Sequence, residues 1–234
     1  MTAQNVKDQL LIFSNPSKAA HSMRFFKTGK GEYGEGDKFI GCTVPESRAV
    51  AQKYKKLPLT EIENLLKDPI HECRFCALII LIDQFDKAVE LDRKVLLDFY
   101  LSHTSYVNSW DLVDVSSYKI VGEWLKDKAD RTLLYKLANS NLLWDQRISV
   151  VSTMTLIKND DFTDILKLSV KFLTHKHDLM HKACGWMLRE LGKRNELELI
   201  NFLDKNCTKM PRTMLRYSIE KLTIKQRKDY LQRK

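Results

Sequence analysis

The sequence predicts an all-α fold, and three features carry that reading. No proline occurs between Ile70 and Met210. The same stretch is rich in Leu, Ile, Lys and Glu at helical spacing and poor in alternating β-branched runs. Glycine, the other breaker, is concentrated: five of the eight (Gly29, Gly31, Gly34, Gly36 and Gly41) fall in the segment GKGEYGEGDKFIG at 29–41. A chain punctuated in this way is a run of helices with one glycine-rich interruption.

Taken in order, helices are expected over 3–13 and over 16–28, where Pro16 suits the first turn. After the glycine-rich loop, one over 44–56 starts at Thr43-Val44-Pro45-Glu46, where Thr stands three residues before Glu as in a capping box, and Thr60-Glu61-Ile62-Glu63 opens 60–68 in the same way. An apolar run, Cys76 to Ile82, lies inside 70–84, and 91–105 follows. Ser109 is the expected N-cap of 109–127. The rest are 129–138, 142–158, 161–174, 178–193, 196–206, 211–220 and 223–232. At ~40 residues per helix pair, such a chain holds about six pairs, whose stacking would form a curved solenoid of antiparallel helix pairs with a concave face. With 234 residues, 44% of them hydrophobic, a single domain over 1–234 is expected.

The apolar run Cys76 to Ile82 falls far short of the ~20 residues that cross a bilayer, and the first ten residues carry no basic start followed by an apolar stretch. A cytoplasmic protein without a membrane partner is expected. Its five cysteines are odd in number, scattered and embedded among apolar neighbours, as reduced thiols are. Net charge is +9, and its distribution says more than its size: residues 205–234 hold ten basic side chains (Lys205, Lys209, Arg212, Arg216, Lys221, Lys225, Arg227, Lys228, Arg233 and Lys234) against Glu220 and Asp229. That terminal stretch supplies +8 of the total. Such a field attracts a polyanion, nucleic acid above all, although a merely solvated face on terminal helices has the same composition.

Several constellations look chemical and are not. The glycine-rich segment lacks G-x-x-x-x-G-K-[ST] and a preceding strand, so it reads as a loop on a rigid scaffold and not as a nucleotide site. Cys73-Arg74-Phe75-Cys76 has metal-ligand spacing without a second pair and runs into an apolar helix, so its thiols belong to the core. His177, His181 and Cys184 share a helix face beside Lys176, Asp178 and Lys182, the pattern of a solvated helix start. No metal and no cofactor are expected.

Three faces combine tryptophan with charge. Trp110 and Asp114 stand four apart on one helix, an aromatic plate beside a carboxylate. Trp144 and Arg147 stand three apart, and Lys182, Trp186, Arg189 and Lys193 form a stripe at i, i+4, i+7 and i+11. Each alone is ordinary, with Trp in a core and basic chains over apolar surface. Together they suit nucleic acid, which requires cations for phosphates and indoles for sugars or bases.

The chain resembles the DNA alkylation repair enzymes of the AlkD type, which are HEAT-like-repeat DNA glycosylases. The resemblance rests on RFFKTGKGEYGEGDKFIG at 24–41, VPESRAVAQKY at 44–54, SWDLVD at 109–114, LLWDQRISVVS at 142–152 and KACGWMLRELGKR at 182–194. It implies a HEAT-like-repeat solenoid and assigns the catalytic aspartate to Asp114, its motif tryptophan to Trp110, the W-x-x-R arginine to Arg147, and a second tryptophan and arginine to Trp186 and Arg189. The lysine that some members place about eight residues after that arginine meets Thr155 here, with Lys158 the nearest substitute. The aromatic at the end of the second helix falls on Phe25 or Phe26.

The implied reaction is hydrolysis of the N-glycosidic bond of N3- or N7-alkylated purines in duplex DNA, leaving an abasic site. A purine alkylated there is already cationic and needs no acid to leave, so the protein must stabilise the sugar cation and position water. Asp114, Trp110, Trp186 and Arg147 are the expected catalytic group. Arg189, Lys182, Lys193, Lys158, Phe26, Arg212 and Arg216 are the expected DNA contacts, on a protein acting as a monomer. The alternatives are a non-catalytic HEAT-repeat protein that binds distorted DNA or RNA, and a protein-interaction scaffold; intact Asp114 and Arg147 speak for the enzyme, and the charged C-terminus speaks against the scaffold.

Overall fold

A computed structural model describes residues 1–233, so that Lys234 of the basic C-terminal group lies outside the described residues. Helices account for the structure. Among the described residues no strand forms, and one isolated parallel bridge joins Lys38 to Ile70. The chain packs as two compact units, Met1–Ser116 and Ser117–Lys234.

The first unit contains α1 (Ala3–Leu11), α2 (Pro16–Phe25), α3 (Val44–Lys53), α4 (Leu59–Leu66), α5 (His71–Lys87), α6 (Glu90–Ser102), a 3₁₀ turn (Thr104–Tyr106) and nearly all of α7 (Trp110–Ser117). Its centre is α5, buried without interruption from His71 to Leu81, with α1, α3, α4 and α6 packed against it. A helix buried on every side has to place its polar residues against partners, and His71, Glu72 and Arg74 all find theirs below.

In the second unit a π-helical turn (Tyr118–Gly122) leads to α8 (Glu123–Leu125), α9 (Thr132–Ala138), α10 (Leu143–Lys158), α11 (Thr163–Lys171) with a 3₁₀ extension (Phe172–Thr174), α12 (Asp178–Arg194), α13 (Glu196–Asn206), α14 (Arg212–Ser218) and α15 (Ile224–Gln232). Here α10 packs on α12 and α12 on α14, while α9, α11 and α13 pack on their sequence neighbours. Alternate helices side by side, α10 and α12 each flanked by the helix before it, are the arrangement of stacked helix pairs.

The expected helices are all present, and their ends differ for local reasons. The one begun at Pro16 stops at Phe25 and not at 28, because Lys27 takes a left-handed φ of 53° and starts the loop. The one expected from 129 begins at Thr132, since Asp130 accepts the Thr132 N–H at 2.8 Å and makes a turn first. The Thr43 box closes, with the Glu46 carboxylate 2.7 Å from the Thr43 N–H. The Thr60 box does not form: α4 starts one residue earlier behind Pro58, and Glu63 pairs instead with Lys67 and His103. Ser109 caps α7 through its backbone carbonyl, which receives the Val113 N–H, while its buried hydroxyl makes no hydrogen bond. The long helix expected over 109–127 contains the π turn. There Gly122 lies so close to α10 that a Cβ would sit 2.5 Å from the Ser152 carbonyl.

Candidate functional site

Trp110 opens α7, and its indole lies against the end of α2: the Phe26 ring stacks on it at 5.3 Å and 13°, and Phe25 meets it edge-on at 5.9 Å. The two phenylalanines divide the work. Phe26 is held between Trp110, Phe39 (5.0 Å) and His71 (5.1 Å), whereas Phe25 is 58% exposed. Asp114 follows one helical turn after Trp110, half-buried on the same face of α7.

Behind this face lies a network that sequence motifs do not announce. His71, the first residue of α5, directs Nε2 to Asp111 Oδ2 at 2.8 Å and Nδ1 to Asp37 Oδ2 at 3.3 Å. Asp37 also pairs with Arg74 at 2.7 Å and receives the Asn108 amide at 3.2 Å. Burial disfavours charge on His71, but the Asp111 carboxylate and the hydrogen bonds from both aspartates outweigh it, and its pKa is pushed up to about 9. Burial likewise opposes charge on Asp37, yet His71 and Arg74 hold its carboxyl below the ordinary value.

The glycine-rich segment is anchored to the same helix end. The buried Glu72 carboxylate receives the N–H groups of Ile40 and Gly41, and the His71 N–H bonds the Lys38 carbonyl at 2.8 Å. Gly41 has φ 83°, and a Cβ there would stand 2.2 Å from the Asn15 carbonyl, so only glycine lets this loop pass the start of α2. The expectation of a loop on a rigid scaffold holds. Cys73 and Cys76 are fully buried thiols whose pKa burial drives up, as core thiols behave.

In the second unit Arg147 is buried on α10, with Nη1 on the Leu179 carbonyl in the first turn of α12. All of Lys182, Trp186, Arg189 and Lys193 lie on α12, and acidic neighbours meet them. Glu190 accepts from Trp186 Nε1 at 3.2 Å and from Lys193 at 2.7 Å, Arg189 pairs with Glu220, and Lys182 pairs with Asp178 at 2.9 Å. The stripe of basic heads is therefore a ladder of ion pairs. Thr155, where a lysine was sought, is buried and donates to the Tyr118 carbonyl at 2.7 Å, supporting the π turn. Lys158 is exposed, with its ammonium 5.1 Å from the centre of the Tyr118 ring.

On α14, Arg212 and Arg216 are exposed, and Arg212 donates to the Leu231 carbonyl at 3.2 Å. The histidines of 175–181 stand at a helix start, partly exposed beside the exposed Lys176 and Asp178. His177 caps α12 by accepting the Leu179 N–H, and His181 reaches the His175 carbonyl. Among the described residues no group of three or more His, Cys, Asp or Glu is placed to hold a metal, and no helix is long and apolar enough to cross a membrane.

The profile of the DNA alkylation repair enzyme family matches residues 6–222. The chain belongs to this family. Its fold is similar to that of the solved structure of a predicted DNA alkylation repair enzyme from Enterococcus faecalis, with a TM-score of 0.70 and 18% sequence identity over 90% of this chain and 97% of that one. Among curated proteins no sequence match was found. Membership makes DNA repair the role of this family member, with DNA as its substrate. Of the residues not marked out by sequence, Asp111 lies inside the SWDLVD motif and Arg74 between the two cysteines of C-R-F-C, and the partners that give them their roles are distant in the chain.

Proposed function

We propose that this DNA alkylation repair protein is a monofunctional glycosylase that removes cationic N3- or N7-alkylated purines from duplex DNA and leaves an abasic site. The observation that supports this most is the face of α7, where an indole backed by Phe26 stands one turn from a half-buried carboxylate.

As the bond from C1′ to the purine nitrogen breaks, its electron pair neutralises the positive base and the sugar becomes cationic. Asp114 supplies the facing negative charge and orients the water whose oxygen bonds C1′; the water's proton passes to the carboxylate or to solvent. Trp110 offers its π face to the same cation, and Trp186 is the second indole assigned to sugar or base. Arg147, fixed by its bond to the Leu179 carbonyl, and Arg189 take backbone phosphate. Lys182, Lys193, Lys158, Arg212 and Arg216 contribute sequence-independent phosphate contacts, with the α12 cations exchanging their carboxylate partners for phosphate. On this reading the protein works as a monomer on the cytoplasmic nucleoid.

The test is release of free bases. Purified protein incubated with methylated duplex DNA should liberate 3-methyladenine or 7-methylguanine and leave uracil-containing duplex intact, because a neutral leaving group needs an acid that this chemistry does not supply. Absence of any released purine, or efficient uracil release, overturns the reading.

A further inference from the structure

We infer that His71, hydrogen-bonded through its two ring nitrogens to Asp37 and Asp111, is a positioning residue that braces the Trp110 indole and the first turn of α7. The catalytic part of this inference rests on the glycosylase reading; the bracing of Trp110 does not.

Geometry carries the argument. Carboxylates accept hydrogen bonds and do not donate them, so a ring whose two nitrogens both face carboxylates carries both protons and is an imidazolium. Asp111 is the residue next to Trp110, and its other oxygen is buried without a hydrogen bond, so the contact to His71 holds this carboxylate in place. The same ring stacks on Phe39 at 4.5 Å and 22° and touches Phe26, which in turn lies flat on Trp110. His71 thus reaches Trp110 by two routes, through the backbone at Asp111 and through the Phe26 ring. The charged groups facing it are Asp37 from the loop, Asp111 from α7 and Arg74 from α5 itself, while the residue that follows α2 is the uncharged Phe26. Two cations and two anions make the cluster neutral, which lets it stay buried. Deprotonating His71 leaves one of the two carboxylates facing a ring nitrogen that no longer carries a proton, and the indole's support loosens.

Labelling with 5-fluorotryptophan tests this in the intact protein. Four indoles give four fluorine resonances, and the one missing from Trp110→Phe reports on this ring. It should titrate with a midpoint near 9 in the wild type, lose that transition in His71→Gln, and titrate at lower pH in Asp111→Asn, where the ring stays in place with one carboxylate fewer. Base release by His71→Gln under single turnover should fall on the order of tenfold, with the Kd for lesion DNA within about threefold of wild type. A Trp110 resonance flat to pH 10.5 and unmoved in both variants overturns the inference, as does a His71→Gln protein that is merely easier to unfold while its resonance and rate are unchanged. If the wild type releases no base at all, the glycosylase reading fails, and the resonance alone decides the brace.

Discussion

Around Trp110 the protein buries its charges, and along α12 it displays them. His71, Arg74 and Asp37 have side chains no more than 7% exposed and are tied to one another and to Asp111, so each depends on the rest. On α12 the ammonium groups of Lys182 and Lys193 belong to side chains 39% and 44% exposed, paired with carboxylates on the same helix. Removing one partner from a buried pair strands a charge where water cannot reach it, whereas an exposed pair contributes little and is screened by salt. On the proposed glycosylase reading, the buried set gives rigidity where the chemistry needs a fixed geometry, and the exposed set gives cations that can exchange their carboxylate partners for phosphate.

The comparison is broken most severely at Asp114. Asp114→Asn keeps size and removes charge, and single-turnover base release should fall on the order of 10² or more with duplex affinity little changed. A rate within threefold of wild type removes Asp114 from the role. Next is Asp37→Asn, which takes the carboxylate from the buried Arg74 guanidinium and leaves His71 with Asp111 alone, and should cost about 3 kcal/mol in urea unfolding. The wild type should show the same network in its pH dependence. His71 has its pKa raised above the unfolded value of 6.5, so its contribution is complete below that pH, declines above it and is lost as pH rises through about 9. Asp37, held below the ordinary carboxylate value, contributes at neutral pH and loses its share as pH falls through its lowered pKa. Urea midpoints that stay constant between pH 6 and 10 contradict the first of these statements.

The legibility of the two regions differs in the same way. Helices were legible because helical spacing and proline placement act over short distances, and Thr43, Pro16 and the core thiols behave as their local sequence implies. Thr60 misled because α4 begins behind Pro58 and the box glutamate, Glu63, is taken by Lys67 and by His103, a partner that the local sequence does not indicate. His71, Asp37 and Asp111 were not legible as a group for this reason as well: their separations are 34 and 40 residues, and no period in the sequence links them. On α12 the acid beside Trp186 was in plain sight, since Glu190 stands four residues on, but a stripe chosen for its cations left it out.

Charge removal at the C-terminus tests the displayed side of the comparison with a smaller effect. Replacing Arg212, Arg216 and Lys221 together by Gln should weaken lesion-bearing and undamaged duplexes alike. Each phosphate-binding cation removed should flatten the plot of log affinity against log salt by about 0.9. An unchanged slope assigns these side chains to solvent and leaves DNA binding to Arg147, Lys182, Arg189 and Lys193.

The smallest effect should come from Glu190, whose carboxylate competes with DNA for the α12 cations. It receives Lys193 at 2.7 Å and stands 3.5 Å from Arg189 while also accepting from the Trp186 indole. Glu190→Gln keeps an oxygen for the indole and removes the charge that holds Lys193, while Arg189 keeps Glu220. Glu190 is 17% exposed but Lys193 is 44% exposed, so water and salt screen their pair and duplex affinity should rise about threefold, with the increase shrinking as salt is added. The sign is what matters. Tighter binding in Glu190→Gln means that α12 holds its cations in reserve for phosphate, and weaker binding means that Glu190 orients them and the ion pairs are part of the binding surface itself. A double substitution with Lys193→Gln separates these outcomes, because the tighter binding of Glu190→Gln should vanish when the cation it releases is absent.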